Sequence, residues 1–185
     1  METQSKRVWV AALAIVLPFL VTSGHADTYS IRPLVSSDDS AAVYEPLLLG
    51  KWTGFGSYEV TRFGKSGYHV TVEEEKGVSE KAEWSLTLIR SGENFIMDFG
   101  SQTDVGFTLH WFARLRIEGD KLWVALLEMA EVEAKIMATK RPRCEVMENG
   151  YVLLTAPTNE LRRYFLPLLK DSKAFTSETE FNRLK

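Results

Sequence analysis

Few residues of this chain have the types and spacing that chemistry requires. Of its three histidines, His25 lies close behind an apolar N-terminal run, which leaves His69 and His110 for the rest of the chain. A metal centre takes several His, Cys or carboxylate ligands at close spacing. These two histidines fall on separate strand-like stretches without such partners, so neither a metal nor another cofactor is expected. His110 alternates with Thr108, Phe112, Arg114 and Arg116, opposite the apolar set Phe107, Leu109 and Trp111; it reads as a surface or cavity-lining histidine. Serine hydrolysis of the common kind uses a strained G-x-S-x-G turn, and the sequence has none. Gly54-Phe55-Gly56-Ser57-Tyr58 is glycine-rich, but it does not join a strand to a helix as a phosphate cradle does. Paired carboxylates for glycoside hydrolysis depend on proximity in space. Asp98, set among Phe95, Met97 and Phe99, is the acid to inspect, with solvent exposure its expected setting. No residue is assigned as catalytic, and a non-enzymatic role is expected, with a hydrolase as a lesser alternative.

The aromatic residues carry more information. Trp52, Trp84, Trp111 and Trp123 fall on strand-like stretches, with Phe55, Phe95, Phe99, Phe107 and Phe112 close by. A small barrel is either filled by side chains or keeps room for one small ligand. If the interior is hollow, Trp84, Phe95, Phe99, Phe107 and Trp111 are the candidates to line it. Core packing would account for the same rings.

The segments that position these residues begin with an export signal. Lys6 and Arg7 precede an uncharged run from Val8 to Val21, and Ser23-Gly24-His25-Ala26 has small residues where a cleavage site needs them. The run is short for a membrane span, which takes roughly 20 apolar residues, and it contains Pro18. Residues 1–26 therefore read as a cleavable signal peptide, with an uncut anchor as the alternative. No stable membrane span is expected after cleavage, and the product is expected to be periplasmic or secreted. Removing 26 of 185 residues leaves 159, enough for one domain with a full core. With Glu2, Lys6 and Arg7 gone, 20 basic residues face 24 acidic ones, a net charge of −4. Nucleic-acid binding needs a basic footprint, and none is visible. Cys144 is the single cysteine, so no internal disulfide can form. It reads as a small buried hydrophobe, with a reactive thiol or an intermolecular bridge as the alternative.

Residues 27–46 read as an irregular lead-in and 47–185 as a single domain. Strand-like runs separated by turn residues predict an antiparallel meander. A two-residue loop at Gly92-Glu93 places Leu88 opposite Met97 and Leu86 opposite Phe99. A second at Gly119-Asp120 pairs Ile117 with Leu122, Leu115 with Val124 and Ala113 with Leu126, each an apolar match. It also sets Glu118 against Lys121 and Arg116 against Trp123, an ion pair and a cation–π contact. Placing Tyr58 and Val60 on one face with Val70 and Val72 needs an odd-length loop or bulge near Gly64–Gly67. Met129, Val132 and Ile136 predict a helix to Thr139, ahead of a last strand over Tyr151–Thr155. Leu161, Tyr164, Phe165, Leu168 and Leu169 form an amphipathic stripe, with Thr158 as its N-cap and Pro167 kinking it. The stripe is expected to cover an end or edge of the sheet. Ser177-Glu178-Thr179-Glu180 predicts a capping box and a short final helix.

Gly50-Lys51-Trp52 at the start of the first long strand resembles the G-x-W signature of lipocalins and related calycins. That resemblance implies an up-and-down barrel carrying a small apolar molecule, with Gly50 and Trp52 structural and Trp52 closing the barrel floor. The helix before the last strand departs from the family's regular barrel. Gly56–Thr61, His110–Phe112 and Leu153–Thr158 are similar to stretches of uncharacterised bacterial exported proteins, which imply no activity. The fold class expected is mainly β with accessory α: a curved antiparallel sheet or lipocalin-like barrel with amphipathic C-terminal helices. The function expected is binding of a small apolar ligand or of an envelope protein partner. A structural or interaction module of the envelope without a cavity is the alternative.

Overall fold

A computed structural model describes residues 28–54, 56–73, 83–103, 106–148, 151–168 and 170–185. The expected signal segment, Phe55 and Leu169 lie outside the described residues. Two short strands come first, β1 (Thr28–Ser30) and β2 (Ala42–Val43). A 3-10 turn over Pro46–Leu48 then leads into seven strands in sequence: β3 (Gly50–Thr53), β4 (Ser57–Phe63), β5 (Gly67–Glu73), β6 (Glu83–Ser91), β7 (Asn94–Gln102), β8 (Thr108–Glu118) and β9 (Lys121–Leu126). The remaining elements are α1 (Met129–Thr139), β10 (Cys144–Val146), β11 (Val152–Leu154), α2 (Thr158–Leu168) and β12 (Thr179–Arg183).

Each meander strand pairs antiparallel with the next, and β12 closes the circuit by pairing with β9 on one side and β3 on the other. The result is a closed eight-stranded antiparallel barrel with two helices, one of them ahead of the last strands. The hairpin registers are those the turn residues imply. Leu88 faces Met97 and Leu86 faces Phe99; Ile117, Leu115 and Ala113 face Leu122, Val124 and Leu126. Gly92 and Gly119 take φ of +64° and +59° as the first residue of each two-residue loop, a position that needs the left-handed region. Between β4 and β5 the loop is three residues, Gly64 to Ser66. That odd count sets Tyr58 opposite Val72 and Val60 opposite Val70.

The chain's end differs from expectation. Thr179–Arg183 is a strand, not a helix. Glu180 does not cap Ser177 but binds Lys121 Nζ at 2.9 Å, and Glu178 pairs with Arg114 and Arg116. A helix this short is not stable alone in water, whereas β9 and β3 offer two open edges of backbone donors and acceptors. Tertiary pairing therefore decides the conformation. The start of α2 also differs: the Pro157 carbonyl accepts from the Glu160 and Leu161 amides, while the Thr158 hydroxyl donates to Pro33 O at 2.8 Å. Pro167 lies one residue from the helix end, so it terminates α2 rather than kinking it. The lead-in is partly ordered into the sheet. β1 runs between β8 and β11, and β2 pairs with β6.

Apolar residues form two cores separated by the barrel wall. Inward-facing Trp52, Tyr68, Leu88, Met97 and Leu115 belong to the inner one. Outside, Val132 and Ile136 of α1 and Leu161 and Phe165 of α2 pack with Ile96, Phe112 and Ala125 of the wall. The α2 stripe thus covers the barrel's side rather than its open end.

Candidate functional site

The inner core does not fill the barrel. A cavity of about 180 Å³ remains, bounded by apolar side chains from every barrel strand and from Leu48. Its most deeply buried ring is Trp52, 1% exposed and paired across the ladder with Tyr58. The Trp52 Nε1–H donates to Leu48 O at 2.9 Å, and the Arg183 guanidinium lies 4.2 Å over the indole ring. Arg183 also donates to Leu49 O at 2.6 Å and to Leu47 O at 2.5 Å. The last strand is therefore tied to the turn that carries Leu48. Beside it, the buried Tyr68 hydroxyl exchanges hydrogen bonds with the Glu45 backbone, and burial pushes its pKa up to about 12.

The half-buried part of the lining is formed by Tyr58, Trp84, Phe99, Trp111, Val124 and Leu126. Phe181 of β12 packs edge-on to Tyr58, ring centroids 5.7 Å apart. Gly54 makes room for that ring: a Cβ there would stand 2.5 Å from Phe181 Cδ1. The glycine-rich stretch after β3 thus serves packing. One polar atom of a lining residue stands out. Trp111 Nε1 is buried with no hydrogen-bond partner among the described residues; its ring meets Tyr29 edge-on at 5.2 Å.

Of the five aromatic residues expected at a cavity, Trp84, Phe99 and Trp111 line it. Phe95 points inward and is buried but does not reach the lining; the Arg90 guanidinium lies 4.6 Å over its ring. Phe107 precedes β8, is 43% exposed and lies outside the lining, because the inward alternation continues past the barrel's rim. Tyr58, Met97 and Phe181 line the cavity without having been singled out. The alternation that marks β4 and β7 places the first two, and only the closure by β12 places the third.

On the outer face of the wall, Asp98 is 3% exposed, contrary to the solvated setting expected of it. Its outward direction is as the alternation implies, but the Leu34–Val35 segment covers it. Asp98 Oδ1 lies 2.7 Å from His110 Nδ1, and Oδ2 accepts from the Leu34 and Val35 amides at 2.5 and 3.3 Å. Burial pushes the Asp98 carboxyl above the usual carboxylate range, against the opposing pull of His110 and the two amides. Ser85 stands across Gly100 from His110, so a serine, a histidine and a buried aspartate share one patch. The Ser85 hydroxyl donates to Gly100 O at 3.3 Å, however, and among the described residues no hydrogen bond joins it to His110. The geometry is that of a clamp on the N-terminal segment, not of an activated nucleophile.

His69 faces Thr61 and packs on Phe63, and half-buried Cys144 lies against the outer core. Among the described residues no three His, Cys, Asp or Glu side chains gather as a metal site, and no helix is long and apolar enough to cross a membrane. Barrel and cavity together define the class: a β-barrel protein with an apolar interior space. Comparison with protein-family models, curated proteins and solved structures finds no match.

Proposed function

We propose that this chain is an exported, periplasmic or secreted barrel that binds one small apolar molecule inside its barrel, without catalysing a reaction on it. The observation that carries the reading is the apolar cavity of about 180 Å³ at the barrel's centre. An apolar cavity of roughly 150 Å³ stays dry and takes up benzene in another protein, so this one suits a single ring with a small substituent or a short alkyl chain. The burial of Trp52 supports the same reading, since the resemblance of Gly50-Lys51-Trp52 to the lipocalin signature implies a structural tryptophan at that position.

Toluene titration tests this. A ligand held at a hundred times its Kd stabilises by about 2.7 kcal/mol, or roughly 8 °C in Tm for a domain of this size. Tryptophan fluorescence should change over the same concentration range, since Trp84 and Trp111 line the cavity. Native mass spectrometry of protein taken from its own envelope should show a co-purified small molecule. A Tm and an emission spectrum both unmoved by saturating toluene would remove the proposal.

A further inference from the structure

The cavity wall is aromatic around most of its girth. Six of its fifteen lining residues carry rings, against 11% of the whole chain. They are Trp52, Tyr58, Trp84, Phe99, Trp111 and Phe181, one each from β3, β4, β6, β7, β8 and β12. Of the eight barrel strands, only β5 and β9 line the space with aliphatic side chains alone. The rings also neighbour one another. Tyr58 lies 6.4 Å from Trp84 and 5.7 Å from Phe181, centroid to centroid, and Phe99 and Trp111 are partners across the β7–β8 ladder. No lining residue carries a charge. We infer that the ligand is a neutral compound with a single aromatic ring, taken in preference to saturated rings and alkyl chains of the same size. The inference rests on the ligand-binding reading above and names its ligand class.

Burial of apolar surface is non-directional and does not by itself favour an aromatic ligand over a saturated one. Contacts between rings do. The negative face and positive edge of each ring make offset and edge-to-face pairs attractive beyond the area they bury. Tyr58 and Phe181 already adopt the edge-to-face form, at an interplanar angle of 75°. In a space of about 180 Å³ one ring takes up most of the room. It therefore meets the wall on several sides at once, and six of the eight strands offer it a ring. Met97 adds a thioether sulfur to the lining, which also favours an aromatic neighbour. A charged ring such as benzoate would lose its hydration here without a counter-charge, a large cost.

Toluene and methylcyclohexane have the same carbon skeleton and differ in aromaticity, so together they isolate the ring contacts. Binding of each to the unmodified chain is measured calorimetrically, and each Kd is divided by that probe's own partition between hexadecane and water, which removes the difference in hydrophobicity. The corrected affinity should favour toluene by about fivefold or more, the size of one ring–ring contact. Phe99→Leu should lower that ratio, whereas Leu86→Met, a change at its aliphatic ladder partner, should leave the ratio in place. Benzoate should bind at least tenfold more weakly than toluene. The side-chain proton resonances of Trp84 and Phe99 should move several times further with toluene than with methylcyclohexane, because only an aromatic ligand carries a ring current; this reads the contact without any variant. A corrected ratio near one or below it, or ring resonances that move equally with both probes, overturns the inference and leaves the apolar site standing. A ratio lowered by Leu86→Met and not by Phe99→Leu does the same. Benzoate binding as tightly as toluene overturns the neutral class. Failure of both toluene and methylcyclohexane to bind overturns the inference and the ligand-binding reading together.

Discussion

Replacing Asp98 by alanine should detach the N-terminal segment from the barrel wall. The side chain is 3% exposed and receives the amides of Leu34 and Val35 at 2.5 and 3.3 Å, with His110 Nδ1 at 2.7 Å. Alanine leaves three buried polar groups without that partner. Each unsatisfied donor costs about 1–3 kcal/mol, and partial hydration through the loosened segment recovers some of it, so a net loss of about 3 kcal/mol is expected. For a domain of this size that lowers Tm by roughly 6–12 °C. The loss should be local before it is global. Leu34 and Val35 are fully buried beneath this contact, so their amides should exchange with solvent far sooner than those of β7 and β8. Asp98→Asn separates hydrogen bonding from charge. Burial holds the folded carboxyl above its ordinary 3.8, so the folded chain binds that proton more tightly than the unfolded one. The resulting stabilisation is complete below pH 3.8 and is lost as pH rises through the folded-state value. Asparagine cannot titrate, so the stability of the unmodified chain relative to Asp98→Asn should fall as pH rises across that window. Thermal melts followed by circular dichroism, with hydrogen exchange at Leu34 and Val35, make the measurement. An Asp98→Ala variant within 1 kcal/mol of the unmodified chain, with both amides still protected, would falsify the clamp.

Three further substitutions address the barrel. Val70→Phe adds roughly 50 Å³ to the buried cavity wall, worth about 1 kcal/mol at ~24 cal/mol per Å³ of space filled; melting should show Tm up by about 3 °C while calorimetry shows toluene binding abolished. Phe181→Ala removes the one large apolar side chain of β12, so denaturant titration should show a loss of about 3 kcal/mol. Gly119→Val forces a β-branched residue to φ +59°, which should cost about 1–3 kcal/mol. The same change at the nearby exposed Lys121 should leave the melting temperature within 2 °C.

How much of this was legible in the residues depends on how local the cause is. Gly92-Glu93 and Gly119-Asp120 sit beside the strands they join, and two-residue loops fix register directly; the apolar pairs of β6 to β9 follow. The helix over Met129–Thr139 is similarly local. β12 is not, because Phe181 is its single large apolar residue and the reason for its extended form lies in β3 and β9, one of them more than a hundred residues away. Asp98 failed for the same reason. Its alternation is correct, but the segment that buries it comes from 63 and 64 positions earlier in the chain. At the cavity, alternation named Trp84, Phe99 and Trp111 but could not mark the rim beyond which Phe107 points away. The unpartnered state of Trp111 Nε1 depends on what surrounds it in three dimensions, and no spacing encodes that.

The hollow interior and the helices are connected. An unfilled space of about 180 Å³ forgoes about 4 kcal/mol of packing at ~24 cal/mol per Å³, a large share of the stability of an ordinary domain. A lone barrel with one small core would have little left to offset that. This wall is instead packed on both sides: Ile96, Phe112 and Ala125 face outward into a second core formed with α1, α2 and β11. Strands β7, β8 and β9 are thus held in shape from outside, by contacts that do not depend on what the interior contains. The residues around the interior are secured differently from one another. Trp52 and Arg183 tie β12 to the turn before β3 through hydrogen bonds and ring stacking, whereas Tyr58, Trp84, Phe99 and Trp111 of the lining are only half buried. A side chain added at Val70 tests that division of labour, because in a wall braced from outside it fills space without displacing strands. If instead Val70→Phe lowered Tm and split the β4–β5 register, the interior packing would be what holds the wall, and the cavity would have no room to spare for a ligand.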